Sequence, residues 1–162
     1  MSEKREMLRH FLAALAYRTQ KALRDAPPDF AAFSAGSGVR TPNELICHMR
    51  SVLGYARTFF IGGEFPRPEP EDFARDVAAF HLMLADISQR LEAGQPLNGI
   101  TEESLLQGPL SDAMTHIGQI AMLRRLYGTP VPPENFIVAS ISSQNVSSDQ
   151  PDPVSPDDGW KP

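Results

Sequence analysis

The chain has 162 residues, with 15 Lys and Arg against 20 Asp and Glu and a formal net charge of −5. This length suits one domain, or one domain with a tail, and a hydrophobic content of 41% is enough to bury a sizeable core. No basic run is longer than a pair. Because phosphate binding needs clustered positive charge, the composition argues against nucleic acid as a partner.

No apolar stretch of the sequence approaches the roughly 20 residues that a membrane span needs, and the charged start of the chain is unlike a signal peptide. The single cysteine, Cys47, has no internal disulfide partner, which is typical of a reducing compartment. These features predict a cytoplasmic protein that does not contact membranes.

Hydrophobic periodicity predicts the first two helices. Apolar residues at three- and four-residue steps indicate an amphipathic helix over residues 4–24. The second helix is expected to begin at Pro42, because Thr41 and Glu44 form a capping-box pattern around a proline at the first helical position. The glycine pair at 62–63 is expected to end it.

The third and fourth helices follow from the same pattern. Apolar residues at alternating four- and three-residue steps predict a third helix over about 71–93, with the spacing of helices that pack nearly antiparallel. Thr101 is expected to cap a short turn over 102–107, and Pro109 to begin a new helix that runs to Tyr127. No segment alternates as a strand does, so the predicted fold class is all-α, a four-helix bundle.

Composition changes beyond the helices. Residues 142–162 are rich in Ser, Asp, Pro, Gln and Asn, which is typical of an irregular tail. The sequence therefore divides into a helical bundle domain over 1–136 and a tail over 137–162. Apolar side chains such as Phe136 and Trp160 are costly to leave in water, so part of this region is expected to wrap the bundle.

Polar residues within the apolar stripes are the candidate functional residues. His48 lies on the apolar face of the second helix. On the fourth helix, Asp112 and His116 are four residues apart, hence about 40° apart around the axis, and Gln119 follows three residues later. Two imidazoles and a carboxylate facing inward from two helices predict a metal site with open positions, and Gln119 is expected to orient one of the ligands.

A plainer interpretation remains equally open at this point. Each histidine is then a hydrogen-bonded core residue, and Asp112 is a first-turn carboxylate favoured by the helix dipole close behind Pro109. Among the other polar residues, His81 is expected to be partly exposed. Arg124 and Arg125 are expected to interact with the dipole at the end of their helix, or one of them with an anionic substrate.

Two short runs, residues 41–49 and 112–120, together with Leu123-Arg124-Arg125, resemble the DinB/YfiT-like superfamily of metalloenzymes. The similarity spans roughly residues 4–130. It implies a four-helix bundle with a long crossover, often a homodimer, that binds a divalent metal through three residues. Two of the family's histidine ligands correspond to His48 and His116. Where the family usually has its third histidine, this chain has Asp112, which would make the site harder and more negatively charged.

The resemblance also implies a range of activities. Relatives include thiol S-transferases that use bacillithiol, mycothiol or glutathione, mycothiol-dependent isomerases, and hydrolases. The expected function is therefore a thiol S-transferase-like or hydrolase-like enzyme that acts on a small molecule. Its cofactors would be a divalent metal ion, first of all zinc or nickel, and a low-molecular-weight thiol. The alternative is a non-catalytic dimeric helical module that binds a small ligand or a partner, because the third ligand is altered and no general base is obvious.

Overall fold

The structure is a computed structural model that describes residues 2–157 and 159. The described residues form an all-α bundle without a β-strand, as predicted, and their only bridge joins Glu134 to Pro156. The helices and helical turns are, in chain order, α1 (Glu3–Leu23), a 3-10 turn (Pro28–Ala32), α2 (Pro42–Ile61), α3 (Phe73–Glu92), the short α4 (Glu102–Leu105), a π-helical turn (Leu106–Leu110) and α5 (Ser111–Tyr127). The four long helices are α1, α2, α3 and α5.

The helix starts show how side chains set the element boundaries. At the start of α2 the Thr41 hydroxyl accepts a hydrogen bond from the Glu44 N–H at 3.3 Å, and the Glu44 carboxylate accepts the Thr41 N–H at 2.7 Å. This reciprocal pair is the predicted capping box. Helix α3 begins at Phe73, two residues later than expected, because the Asp72 side chain caps it.

The sequence predicted a break before the last helix, and the structure corrects this prediction. Residues 102–127 are helical throughout, because a π-helical turn takes the place of the break. The Ser111 N–H reaches back five residues to the Leu106 carbonyl, and the Ser111 hydroxyl donates to the same oxygen at 2.7 Å. Pro109 lies within this turn. Since the helical run begins at α4, Asp112 has no open helix end before it, and the dipole no longer explains its presence.

The four long helices enclose one apolar core. Its completely buried side chains come from α1, α2, α3 and α5 alike, among them Leu12, Leu15, Ile46, Met49, Leu53, Phe80, Leu84, Ile87, Ala113 and Ile120. Each large apolar side chain stabilises the fold by about 1.5–3 kcal/mol when fully buried. The packing of these side chains therefore fixes which faces of α2 and α5 meet. Within the described part of the chain, no helix combines the length and apolarity that a membrane crossing requires.

The irregular segment after α5, residues 129–157, lies against the bundle. Lys21 on α1 and Arg24, which caps the end of this helix, donate hydrogen bonds to the backbone carbonyls of Pro132 at 2.7 Å and Pro151 at 3.0 Å. Backbone carbonyls of an irregular segment need such donors when they leave water. The cationic face of α1 therefore holds the segment in place.

The prediction that His81 is partly exposed is wrong. Its ring is buried between α1 and the C-terminal segment: Nδ1 donates to the Val146 carbonyl at 2.8 Å, and Nε2 accepts from the Gln20 amide at 2.7 Å. Burial lowers the pKa of His81. The ring thus joins α1, α3 and the C-terminal segment. The contact expected of Trp160 lies outside the described residues.

Glu134 provides a test of how firmly the C-terminal segment is held. Its carboxylate is fully buried, accepts the Tyr17 hydroxyl at 2.6 Å and lies 3.7 Å from the Lys21 ammonium. Tyr17→Phe removes the donor and should lower the free energy of unfolding, measured by urea denaturation, by about 1–3 kcal/mol, because a buried charged acceptor loses its hydrogen bond. Amide exchange near Glu134 should become faster. The control is Tyr55→Phe at an exposed position of α2, and equal stability of the two variants would contradict the expectation.

Candidate metal centre

Helices α2 and α5 bring His48, Asp112 and His116 together. One nitrogen of each imidazole and a carboxylate oxygen all lie within 4.8 Å of one another. Nε2 of His116 is 3.3 Å from Oδ1 of Asp112, and Nε2 of His48 is 3.6 Å from Oδ2 of the same carboxylate. The two rings are nearly perpendicular, at 84°, with centroids 4.6 Å apart. The convergence predicted from sequence is therefore present.

The cluster lies at the border of the bundle rather than in its core. The side chain of His116 is 10% exposed, that of His48 24%, and that of Asp112 47%. The expectation that all three point inward holds for His116 and is wrong for Asp112. The offset of about 40° between positions four residues apart is enough to move Asp112 from the buried face to its edge. Solvent and small molecules can therefore reach the cluster.

Gln119 fixes the protonation pattern of His116. Its side-chain oxygen lies 2.8 Å from Nδ1 of the ring. An amide oxygen only accepts, so Nδ1 carries a proton, and in a neutral ring Nε2 then carries a lone pair. Nε2 is buried and has no hydrogen-bond partner among the described residues. Leaving such an atom unpaired costs about 1–3 kcal/mol, so it marks a place where a partner is expected.

The distances within the cluster suit a divalent cation as that partner. A nitrogen lone pair 3.3 Å from a carboxylate oxygen is repelled by it unless positive charge lies between them. Two ligands that are each about 2.1 Å from a tetrahedral zinc ion lie roughly 3.4 Å apart. The two nitrogen–oxygen separations, 3.3 Å to Oδ1 and 3.6 Å to Oδ2 of Asp112, are close to this value, and the three ligand atoms lie within 4.8 Å of one another. A set of two nitrogens and one oxygen suits zinc, nickel or iron.

The electrostatic surroundings favour the ligand form of His48. Burial lowers the pKa of His48 most, and the positive charge of Arg40 and the neighbouring His116 lower it further. Arg67 acts in the same direction, while Asp112 opposes the shift. The ring is therefore neutral near pH 7, which is the form that binds metal ions.

Three hollows surround the cluster. One of about 670 Å³ reaches Asp112, one of about 690 Å³ reaches Gln119, and one of about 260 Å³ reaches His48. Each pair of hollows shares a lining residue, which is Ser51, Thr115 or Arg40. Molecules can therefore approach the cluster from more than one side.

The structure also separates the arginines by role. Arg124, expected near the dipole of its own helix, is buried and donates to the carbonyls of Ala22 at 3.2 Å and Arg24 at 3.0 Å at the end of α1. It therefore supports the bundle. Sequence analysis did not single out Arg40 and Arg67, which line the hollow beside His48. Both come from connections without periodicity, so no pattern in the sequence indicated them.

Fold and site together define an all-α bundle with a solvent-accessible His-Asp-His cluster. Comparisons with protein-family models, with curated proteins and with solved structures found no match to this chain. The resemblance to the DinB/YfiT-like superfamily therefore stays a prediction, and the argument for a metal centre depends on the geometry of the cluster.

The hydrogen bond from His116 to Gln119 predicts how metal affinity responds to substitution. Gln119→Leu removes the acceptor and should weaken zinc binding about 10–100-fold, because the ring is then free to rotate and to change tautomer. Gln119→Glu keeps an acceptor for Nδ1 and should preserve affinity. Competition with a chromophoric chelator measures both variants. Similar zinc affinity in the leucine and glutamate variants would contradict this role.

Proposed function

We propose that the protein is a metal-dependent enzyme in which His48, Asp112 and His116 hold a divalent cation, zinc or nickel first of all. The observation that carries the proposal is the buried Nε2 of His116, which has no hydrogen-bond partner among the described residues and lies beside a carboxylate. A cation at this position supplies Lewis acidity, which lowers the pKa of a bound thiol or water so that a nucleophile forms near neutral pH.

Each residue of the cluster has a distinct task in this proposal. Gln119 holds the His116 ring through its Nδ1 proton, so that Nε2 keeps its lone pair. Asp112 directs one oxygen toward each histidine and offsets part of the charge of the cation. Three protein ligands leave further coordination positions, the arrangement of catalytic rather than structural zinc sites.

Among metal-dependent reactions, we favour thiol S-transfer. Hollows on different sides of the cluster give separate room to a low-molecular-weight thiol and to a small electrophilic substrate. In such a reaction the thiol loses its proton and its sulfur bonds to an electrophilic carbon. The leaving group departs with the electrons of the bond that breaks. This reaction class agrees with the DinB/YfiT resemblance, which also suggests a homodimer.

Hydrolysis is the second candidate, because the half-exposed Asp112 leaves the cluster open to water. Water then takes the place of the thiol, and one product gains a hydroxyl group while the other gains the proton. The two candidates share the metal centre and differ only in the nucleophile, so one experiment separates them.

Metal analysis of tag-free protein tests the centre itself. Protein supplemented with zinc, nickel, manganese and iron should contain about one metal ion per chain by elemental analysis, as expected for a single three-ligand site. His116→Ala should lose nearly all of it. The matched control is His10→Ala, which removes an exposed histidine from α1 and should leave the metal content unchanged. Metal-free wild-type protein would overturn the proposal in favour of the non-catalytic helical module.

Cobalt substitution distinguishes thiol from water as the nucleophile. Addition of glutathione or cysteine to the cobalt-loaded protein should produce a sulfur-to-cobalt charge-transfer band, because a thiolate binds the open position. The S-methylated thiol is the control and should produce no band. An unchanged spectrum with every thiol tested would favour hydrolysis over S-transfer.

A further inference from the structure

Two arginine residues lie beside the cluster. Arg40 and Arg67 both line the hollow that reaches His48. Neither makes a hydrogen bond or an ion pair with another residue in the described part of the chain.

Hydrogen bonds at the neighbouring residues anchor the backbone beside both arginines. Arg40 immediately precedes Thr41, whose N–H is held in the capping box of α2. Arg67 immediately precedes Pro68, whose carbonyl accepts a hydrogen bond from the Cys47 thiol at 3.3 Å. Both arginines therefore line the same hollow from anchored backbone, and anchored side chains favour recognition by paired charges.

Two acidic residues, Glu44 and Glu69, line the same hollow. The carboxylate of Glu44 is engaged in the capping box, where it accepts the Thr41 N–H. Together with Asp112, these acids carry one more negative charge than Arg40 and Arg67 carry positive charge. A bound divalent cation therefore makes the net charge of the site positive. The loaded site therefore attracts an anion.

Arg40 also lines the hollow of about 690 Å³, whose wall is largely apolar. Val39, Met122 and Leu126 contribute exposed apolar side chains to this wall. Exposed apolar surface beside a few polar groups is typical of a small-molecule site. Arg40 thus stands at the junction of an apolar surface and the metal centre.

We propose that Arg40, assisted by Arg67, binds the carboxylate of a small amphiphilic substrate whose apolar part lies against Val39, Met122 and Leu126. The guanidinium group presents paired N–H donors in a planar fork that matches the two oxygens of a carboxylate. This inference rests on the proposed function, because the metal centre is where the bound substrate reacts.

Titration of sodium hexanoate into zinc-loaded protein tests the inference by calorimetry. Hexanoate should bind more tightly than acetate, because its alkyl chain buries apolar surface. Arg40→Gln should raise the dissociation constant about tenfold or more, since a charge-assisted hydrogen bond is lost. Arg40→Lys keeps the charge but not the planar fork, so its dissociation constant for hexanoate should lie between those of the wild type and Arg40→Gln. Arg67→Gln should raise the dissociation constant less than Arg40→Gln does.

Further variants separate recognition of the carboxylate from nonspecific hydrophobic binding. Glu69→Gln should tighten hexanoate binding, because it removes a negative charge from the hollow. Met122→Asn should weaken the binding of hexanoate but not that of acetate. Unchanged hexanoate affinity in Arg40→Gln, or equal binding of hexylamine and hexanoate, would overturn the inference.

Elemental analysis of the same samples keeps this inference apart from the metal proposal. Zinc at full occupancy with no effect of Arg40→Gln refutes carboxylate recognition and leaves the metal centre intact. If zinc fails to bind, the metal proposal fails, and hexanoate is titrated into the metal-free protein instead. Weaker hexanoate binding in Arg40→Gln then supports carboxylate recognition, and unchanged binding refutes it.

Discussion

Gln119 accepts the Nδ1 proton of His116 at 2.8 Å, and this hydrogen bond decides what the other nitrogen of the ring can do. Because Nδ1 donates its proton to Gln119, Nε2 is the nitrogen that can present a lone pair beside the Asp112 carboxylate. Two electron-rich groups held this close favour a cation between them. His48 completes the set from the neighbouring helix, and the chemistry we propose for the bundle depends on this arrangement.

The C-terminal segment covers one side of the bundle, and the cluster lies on the side that it leaves uncovered. The C-terminal segment packs on α1 and α3, where it accepts hydrogen bonds from Lys21 and His81. The hollows at the cluster are lined only by residues from 35 to 126, within the described part of the chain. The segment therefore stabilises one side of the bundle and leaves the other side open to ligands.

Sequence alone determined the long helices and much of the cluster. The start of α2 followed from the capping box at Thr41, because caps are local contacts between residues three apart. The pairing of Asp112 with His116 followed from helical geometry, which places positions four apart on nearly the same face. The position of His48 on the apolar stripe of α2 was enough to predict that it faces the interior of the bundle.

Only the tertiary structure decided how the site is exposed and what surrounds it. Periodicity placed Asp112 about 40° from His116, but whether this offset leaves its side chain buried or exposed depends on how the helices pack. The burial of His81 under a segment distant in sequence has the same origin. The π-helical turn that replaces the break at Pro109 instead rests on local hydrogen bonds from Ser111 to Leu106. Arg40 and Arg67 come from aperiodic connections, and only the folded chain brings them together at His48.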